Sequence, residues 1–172
     1  RTLELEEYVD VATVGKALQG SAVLFSKAYK PRPGLIAGTF AGSTVGLAVG
    51  TRIIERLESD GYLGADGRIA VLSGRFERRL DALRKRLPNS IGERSGMGAM
   101  QAFDLFDGSE EIATAIVHAA FEEGLMVFGA GSNPSKIRML LPVNTTDEEL
   151  EAGFTMLEKA IRRVAEERDL PI

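Results

Sequence analysis

The sequence predicts an α/β protein of the α+β kind, in which a small, mostly antiparallel sheet is covered by helices on one face. Three observations predict it. Short β-rich runs alternate with longer segments of helical period. Glycine, proline and capping residues punctuate the joins. At 172 residues the chain is long enough for one good-sized core, or for one domain plus part of another.

Residues 9–14 (VDVATV) mix β-branched side chains with few charges and end at Gly15-Lys16, which reads as a buried strand delivering a lysine to its end. Residues 22–25 form a second strand. From 27 to 42 the chain (KAYKPRPGLIAGTFAG) is too irregular for a regular element and too apolar at Leu35-Ile36 for a free linker, so an ordered functional loop is expected. A helix over 43–57 follows, with Ser43 as N-cap and Val45, Val49, Ile53 and Leu57 on one face. The next helix, 69–87, places Leu72, Phe76, Leu80 and Leu83 on one side and mostly arginines on the other, and Pro88 stops it. Residues 91–106 open with a glycine-punctuated turn (GERSGMG) and continue as a strand. After the turn Asp107-Gly108-Ser109, a helix over 110–123 carries Ile112, Ile116, Val117 and Ala120 and ends at Gly124. Residues 125–128 and 137–141 are two further strands around a loop. Thr146 to Glu149 is a capping box, opening a last helix to about Arg168 that buries Leu150, Phe154, Leu157, Ile161 and Val164.

Composition narrows the partners. A formal net charge of −4 and a pI near 5.2 argue against a nucleic-acid binder, which needs clustered Lys and Arg. The Arg-rich helix over 75–86 is interspersed with Glu77 and Asp81 and reads as a solvated face. The chain has no cysteine and a single histidine, so it offers neither a disulfide framework nor a metal cluster, and His118 reads as structural. No stretch reaches the roughly 18 apolar residues of a membrane span. Cytoplasmic residence is expected, with small molecules as partners. Gly46 and Gly50 form a small-xxx-small spacing that permits close packing.

Three features can carry chemistry. Lys16, at a strand end with no acidic neighbour in sequence, is either a solvent-facing lysine or a desolvated amine able to form a Schiff base. The segment Gly38-Thr39-Phe40-Ala41-Gly42-Ser43 offers a hydroxyl and free N–H groups at a helix start, which is either an anion site or an ordinary capped loop. Arg138, inside the apolar run KIRMLLP, wants a carboxylate: a substrate's, an internal one, or none if it faces solvent on an edge strand.

Together these features resemble the class III aminotransferase family. VDVATVGKALQG is similar to the stretch in which an Asp-initiated strand ends in the lysine that carries pyridoxal phosphate. GTFAGS is similar to the phosphate-contacting Thr segment, and NPSKIRMLLPVNTTDEEL to the segment with the Arg that binds substrate carboxylate. SGMGAMQAFDLF and EEGLMVFGAG look like two small-domain strands of that family. Where the family usually has Gly-Gly and a Pro after the lysine, this chain has Gln19-Gly20-Ser21, and it has Gly42-Ser43-Thr44 where Gly-Asn-Pro is common.

The resemblance implies the C-terminal part of a fold type I enzyme. Residues 1–42 would be the tail of a larger cofactor-binding domain, and 43–172 a small domain entered by a long linking helix. It implies pyridoxal 5'-phosphate as cofactor, with Lys16 catalytic and Lys16, Thr39 and Phe40 at the cofactor. Arg138 would sit on the substrate, with no metal. An amino donor and a 2-oxo acid acceptor would be the substrates, in a homodimer. The family's remaining cofactor contacts, a Gly/Ser phosphate loop, a stacking aromatic and an Asp on the pyridine nitrogen, would lie outside these 172 residues. Two other readings stand beside it: a catalytically silent small-domain module, and an aminomutase or decarboxylase of the same family.

Overall fold

The computed structural model describes residues 5, 7–35, 38–39 and 41–172. They form two compact units, 1–61 and 62–172, which are taken one at a time.

In the first unit, β1 (Val11–Val14) pairs antiparallel with β2 (Ala22–Phe25) in a two-stranded ribbon, Val11 opposite Phe25 and Val14 opposite Ala22. Among the described residues nothing covers the predicted buried strand: Val11, Val14, Leu24 and Phe25 are exposed, since a two-stranded ribbon buries its faces only against a further layer. Helix α1 (Thr44–Ser59) starts where Ser43 Oγ accepts from Gly46 N, satisfying one of the free N–H groups of a helix start. Its inward stripe differs from the predicted one. Val45 and Val49 face out, while Gly46, the buried Gly50, Ile53 and Leu57 turn inward. Within this unit α1 packs on the turn after β1.

The second unit holds the sheet. Strands β3 (Ile91–Met97), β4 (Met100–Leu105), β5 (Phe128–Ala130) and β6 (Lys136–Leu140) form one antiparallel sheet in the order β3-β4-β6-β5. The predicted fold class is therefore observed. The turn expected at GERSGMG is instead strand up to Met97, and the turn of its hairpin is Gly98-Ala99, with Gly98 at φ 60°. The segment hides its nature because it is an edge strand with a register irregularity between Ile91 and Arg94, so it lacks clean alternation.

Helices α2 (Arg68–Arg86), α3 (Glu110–Glu122) and α4 (Asp147–Arg168) bury every apolar residue predicted for α2 and α4. Phe76 lies between Phe154 (ring centroids 5.1 Å) and Phe103 (6.3 Å), joining α2, α4 and β4. The Thr146 capping box is formed in both directions, Glu149 N to Thr146 Oγ1 and Thr146 N to Glu149 Oε2. Gln101 is fully buried, yet satisfied. Its amide donates to Ser73 Oγ and Gly98 O and accepts from Arg94, as a buried polar group must.

The arginines of α2 are more than a solvated face. Arg79 pairs with Glu151 at 2.9 Å and Arg86 with Glu158 at 2.7 Å, stapling α2 to α4. The hydrogen bond from Arg86, helped by Arg162 and opposed by partial burial, holds the Glu158 carboxyl below the usual carboxylate range. A depressed carboxyl contributes stability that is present above its unfolded pKa and is lost as pH falls through the folded one. Thermal unfolding followed from neutral pH to below about pH 4 is therefore expected to show a falling midpoint, and Glu158→Gln a shallower fall. Parallel curves for the two proteins would contradict this.

Candidate active site

The chain turns sharply at the end of β1. Lys16 opens a one-turn 3-10 helix (Lys16–Leu18) with φ 55°, and Gln19 closes it at φ 56°. An L residue in the left-handed region costs about 1–2 kcal/mol, and such strain persists where surrounding structure holds it. What holds it is the glycine stripe of α1. A Cβ on Gly50 would stand 2.9 Å from Leu18 O, and one on Gly46 3.1 Å from Gln19 O. The small-xxx-small spacing thus admits the backbone of the lysine turn rather than a second helix. Gly15 is equally tight, since its Cβ would come within 2.8 Å of Ser21 Oγ.

Lys16 itself is exposed, and no hydrogen bond or ion pair engages its ammonium among the described residues. Thr39 is exposed in a turn closed by Ala41 N to Gly38 O. Its hydroxyl has no partner among the described residues. Phe40 lies outside the described residues.

Arg138 belongs to the second unit, so it is described apart from Lys16 and Thr39. It sits on β6, an interior strand flanked by β4 and β5, opposite Ala102 on one side and Phe128 on the other. Ile137 and Met139 point into the core, so by alternation Arg138 lies on the face away from the helices. Its guanidinium stacks on Phe128, Cζ 5.7 Å from the ring centroid. Nε is buried without a hydrogen-bond partner. Arg138 is therefore not on an edge strand, although it is partly exposed on the open face of the sheet, and no carboxylate among the described residues pairs with it. The nearest acidic position in register, Asp104, is taken by Lys136 at 2.7 Å. Burial raises the Asp104 pKa, but the Lys136 ammonium and backbone N–H groups outweigh that and hold it below the ordinary value.

The sequence profile described as aminotransferase class-III matches residues 3–161. The chain belongs to the class III aminotransferases. It is similar to the 5-aminovalerate aminotransferase DavT of Pseudomonas aeruginosa, 28% identical over 168 residues that cover 91% of this chain and 38% of that protein. Among solved structures, the lysine aminotransferase from M. tuberculosis superposes with TM-score 0.80 at 21% identity, over 95% of this chain and 38% of that one. At that identity the likeness speaks for the fold. A PLP-bound aminotransferase mutant from Vibrio fluvialis superposes with TM-score 0.59 at 28% identity, over 72% of this chain and 27% of that one. This class III aminotransferase chain therefore spans well under half the length of the relatives it matches.

Pyridoxal phosphate, the cofactor this family implies, needs an amine free to react with its aldehyde and donors for its phosphate. The Lys16 side-chain nitrogen on its locked turn and the Thr39 hydroxyl, both without a partner among the described residues, fit those needs. Among the described residues no cluster of His, Asp or Glu could hold a metal ion, and no helix is long and apolar enough to cross a membrane. His118 is exposed on α3. The sequence reading missed two neighbours of Arg138: Phe128, read only as the end of a strand, and the Lys136–Asp104 pair. Both act through cross-strand register, for which the sequence carries no signal beyond alternation.

Proposed function

We propose that the chain is the C-terminal portion of a cytoplasmic, homodimeric, pyridoxal phosphate-dependent aminotransferase that moves an amino group from an amino acid or ω-amine to a 2-oxo acid. What supports this reading is the lysine turn: a strained, left-handed Lys16 whose side-chain nitrogen has no partner among the described residues, pinned by Gly46 and Gly50. Residues 1–42, with the ribbon and its lysine turn, would be the tail of the cofactor-binding part, and residues 43–172, entered by α1, the small domain.

Lys16 Nζ is the amine that would attach the cofactor's aldehyde. Once released by the incoming substrate amine, the same Nζ would carry a proton between the substrate's amine-bearing carbon and the cofactor's C4′, a task that suits a neutral, mobile amine. The bound cofactor supplies the electron sink for charge developing at that carbon. Thr39 Oγ1 would donate to the phosphate across the dimer interface, with Phe40 beside it. Arg138 would hold a substrate carboxylate in a charge-assisted fork, fixing which face of the substrate reacts. ω-Amino acids are the leading donor class, in keeping with the 5-aminovalerate named for a relative.

The test is amino-group transfer. An enzyme of family length carrying this segment, incubated with pyridoxal phosphate, is offered ¹⁵N-labelled 5-aminovalerate, 4-aminobutyrate and ornithine with 2-oxoglutarate. Label is expected in glutamate with at least one of these donors. Carbon dioxide release or an isomerised amino acid in its place would sink the transaminase reading in favour of a decarboxylase or mutase. Neither product, with no cofactor bound, would leave a silent module.

A further inference from the structure

On the open face of the sheet Arg138 has no carboxylate partner among the described residues, while the cation two residues before it is neutralised. Lys136 and Arg138 are alternate residues of β6, and both lie on the face away from the helices. Asp104 stands opposite Lys136, and Ala102 opposite Arg138. Asp104 is therefore the diagonal neighbour of Arg138, a relation that places Cα atoms about 7–8 Å apart, within reach of long side chains. A guanidinium with a buried, unpaired Nε would gain from that carboxylate. It does not take it. Lys136 Nζ lies 2.7 Å from Asp104 Oδ1, with both side chains about one-fifth exposed. The other oxygen, Oδ2, lies over Gly92 of β3, in space that any side chain there would fill. On its other flank Arg138 rests on Phe128, a contact that holds the guanidinium plane without consuming a donor.

We propose that Lys136 is a positioning residue for carboxylate recognition: by engaging Asp104 it keeps that neighbouring carboxylate off Arg138 and leaves the guanidinium open to an outside one. The proposal rests on the reading of Arg138 as a carboxylate site. Lys136 touches no substrate. It acts by removing a competitor, a device of specificity through an occupied alternative. Without it, Asp104 would swing along the strand face and satisfy Arg138 from within the sheet.

The experiment is a titration of the ¹⁵N-labelled 172-residue chain with acetate, read at the Arg138 Nε–Hε signal. Lys136→Met is expected to weaken acetate binding roughly five- to tenfold, the scale of a charge-assisted hydrogen bond that must first be displaced. Lys136→Arg, which can still hold Asp104, should bind as the parent does, and the double variant Lys136→Met with Asp104→Asn should recover. Loss of a positive charge alone would also weaken anion binding, so a second reading separates the two. With no acetate present, the Arg138 Nε signal of Lys136→Met should already sit where acetate drives it in the parent, because Asp104 has moved in. An Nε signal unmoved in Lys136→Met, or acetate affinity equal to the parent's, overturns the proposal. Arg138→Leu separates the layers. If it abolishes the acetate response while Lys136→Met does nothing, only the role of Lys136 falls; if the acetate response survives it, the carboxylate reading of Arg138 falls as well.

Discussion

Lys16→Ala is expected to abolish borohydride-trappable attachment of pyridoxal phosphate and to lower amino transfer by on the order of 10²- to 10⁴-fold or more, since one amine both carries the cofactor and moves the proton. The loss should come without a matching loss of stability. Lys16 is exposed and makes no ion pair among the described residues, and its left-handed conformation costs alanine no less than lysine. Absorbance and borohydride reduction of the variant, beside its melting curve, separate chemistry from folding. A variant that still binds the cofactor through a reducible linkage would remove Lys16 from the site. Arginine at the same position is expected to behave like alanine, because its guanidinium stays protonated and offers no nucleophilic amine.

Phe76→Ala is expected to cost about 3–5 kcal/mol, a large part of the 5–15 kcal/mol that typically holds a domain together. Phe76 is fully buried and touches aromatic rings on two other elements, Phe103 of β4 and Phe154 of α4. Its removal opens a cavity where α2, α4 and the sheet meet. That junction is rigid, so collapse into the void is limited and the cost falls toward the upper end. A urea titration should show the midpoint of the second unit falling sharply. A shift worth under about 1 kcal/mol would mean that the three elements close over the gap, contrary to the packing described.

The helices were legible in the sequence because their signals are local. Caps at Ser43 and Thr146 and the 3.6-residue repeat of Leu72, Phe76, Leu80 and Leu83 need no partner to be seen. What depends on distant residues was not legible. The stapling of α2 to α4 joins residues 72 positions apart, so its arginines looked merely solvated. Strand β3 is a polar, glycine-containing edge whose strand character comes from β4 beside it. The strand expected at 125–128 is displaced to Phe128–Ala130. Val127 is buried core outside the ladder, and periodicity cannot tell a buried connection from a buried strand.

The candidate site divides in the same way. Lys16, Thr39 and Arg138 could be named from residue type, neighbours and their order along the chain. The burial of Lys16 could not, since a β-branched run reports what a strand is able to bury and not whether a layer is there to cover it. Nor did the sequence tell that Gly46 and Gly50 serve the lysine turn. Their spacing announced a close approach, and only the fold shows that the approaching group is the backbone of Leu18 and Gln19. Arg138 moved in the opposite direction, from three open readings toward an interior strand with a stacked, unpaired guanidinium.

The central claim is that Lys16 carries the cofactor, and site mapping tests it most directly. An enzyme of family length containing this segment is loaded with pyridoxal phosphate, reduced with borohydride, digested and sequenced by mass spectrometry. The account predicts a single phosphopyridoxyl group on Nζ of Lys16. A label on Lys27, Lys30 or any other lysine, with Lys16 unmodified, would contradict it.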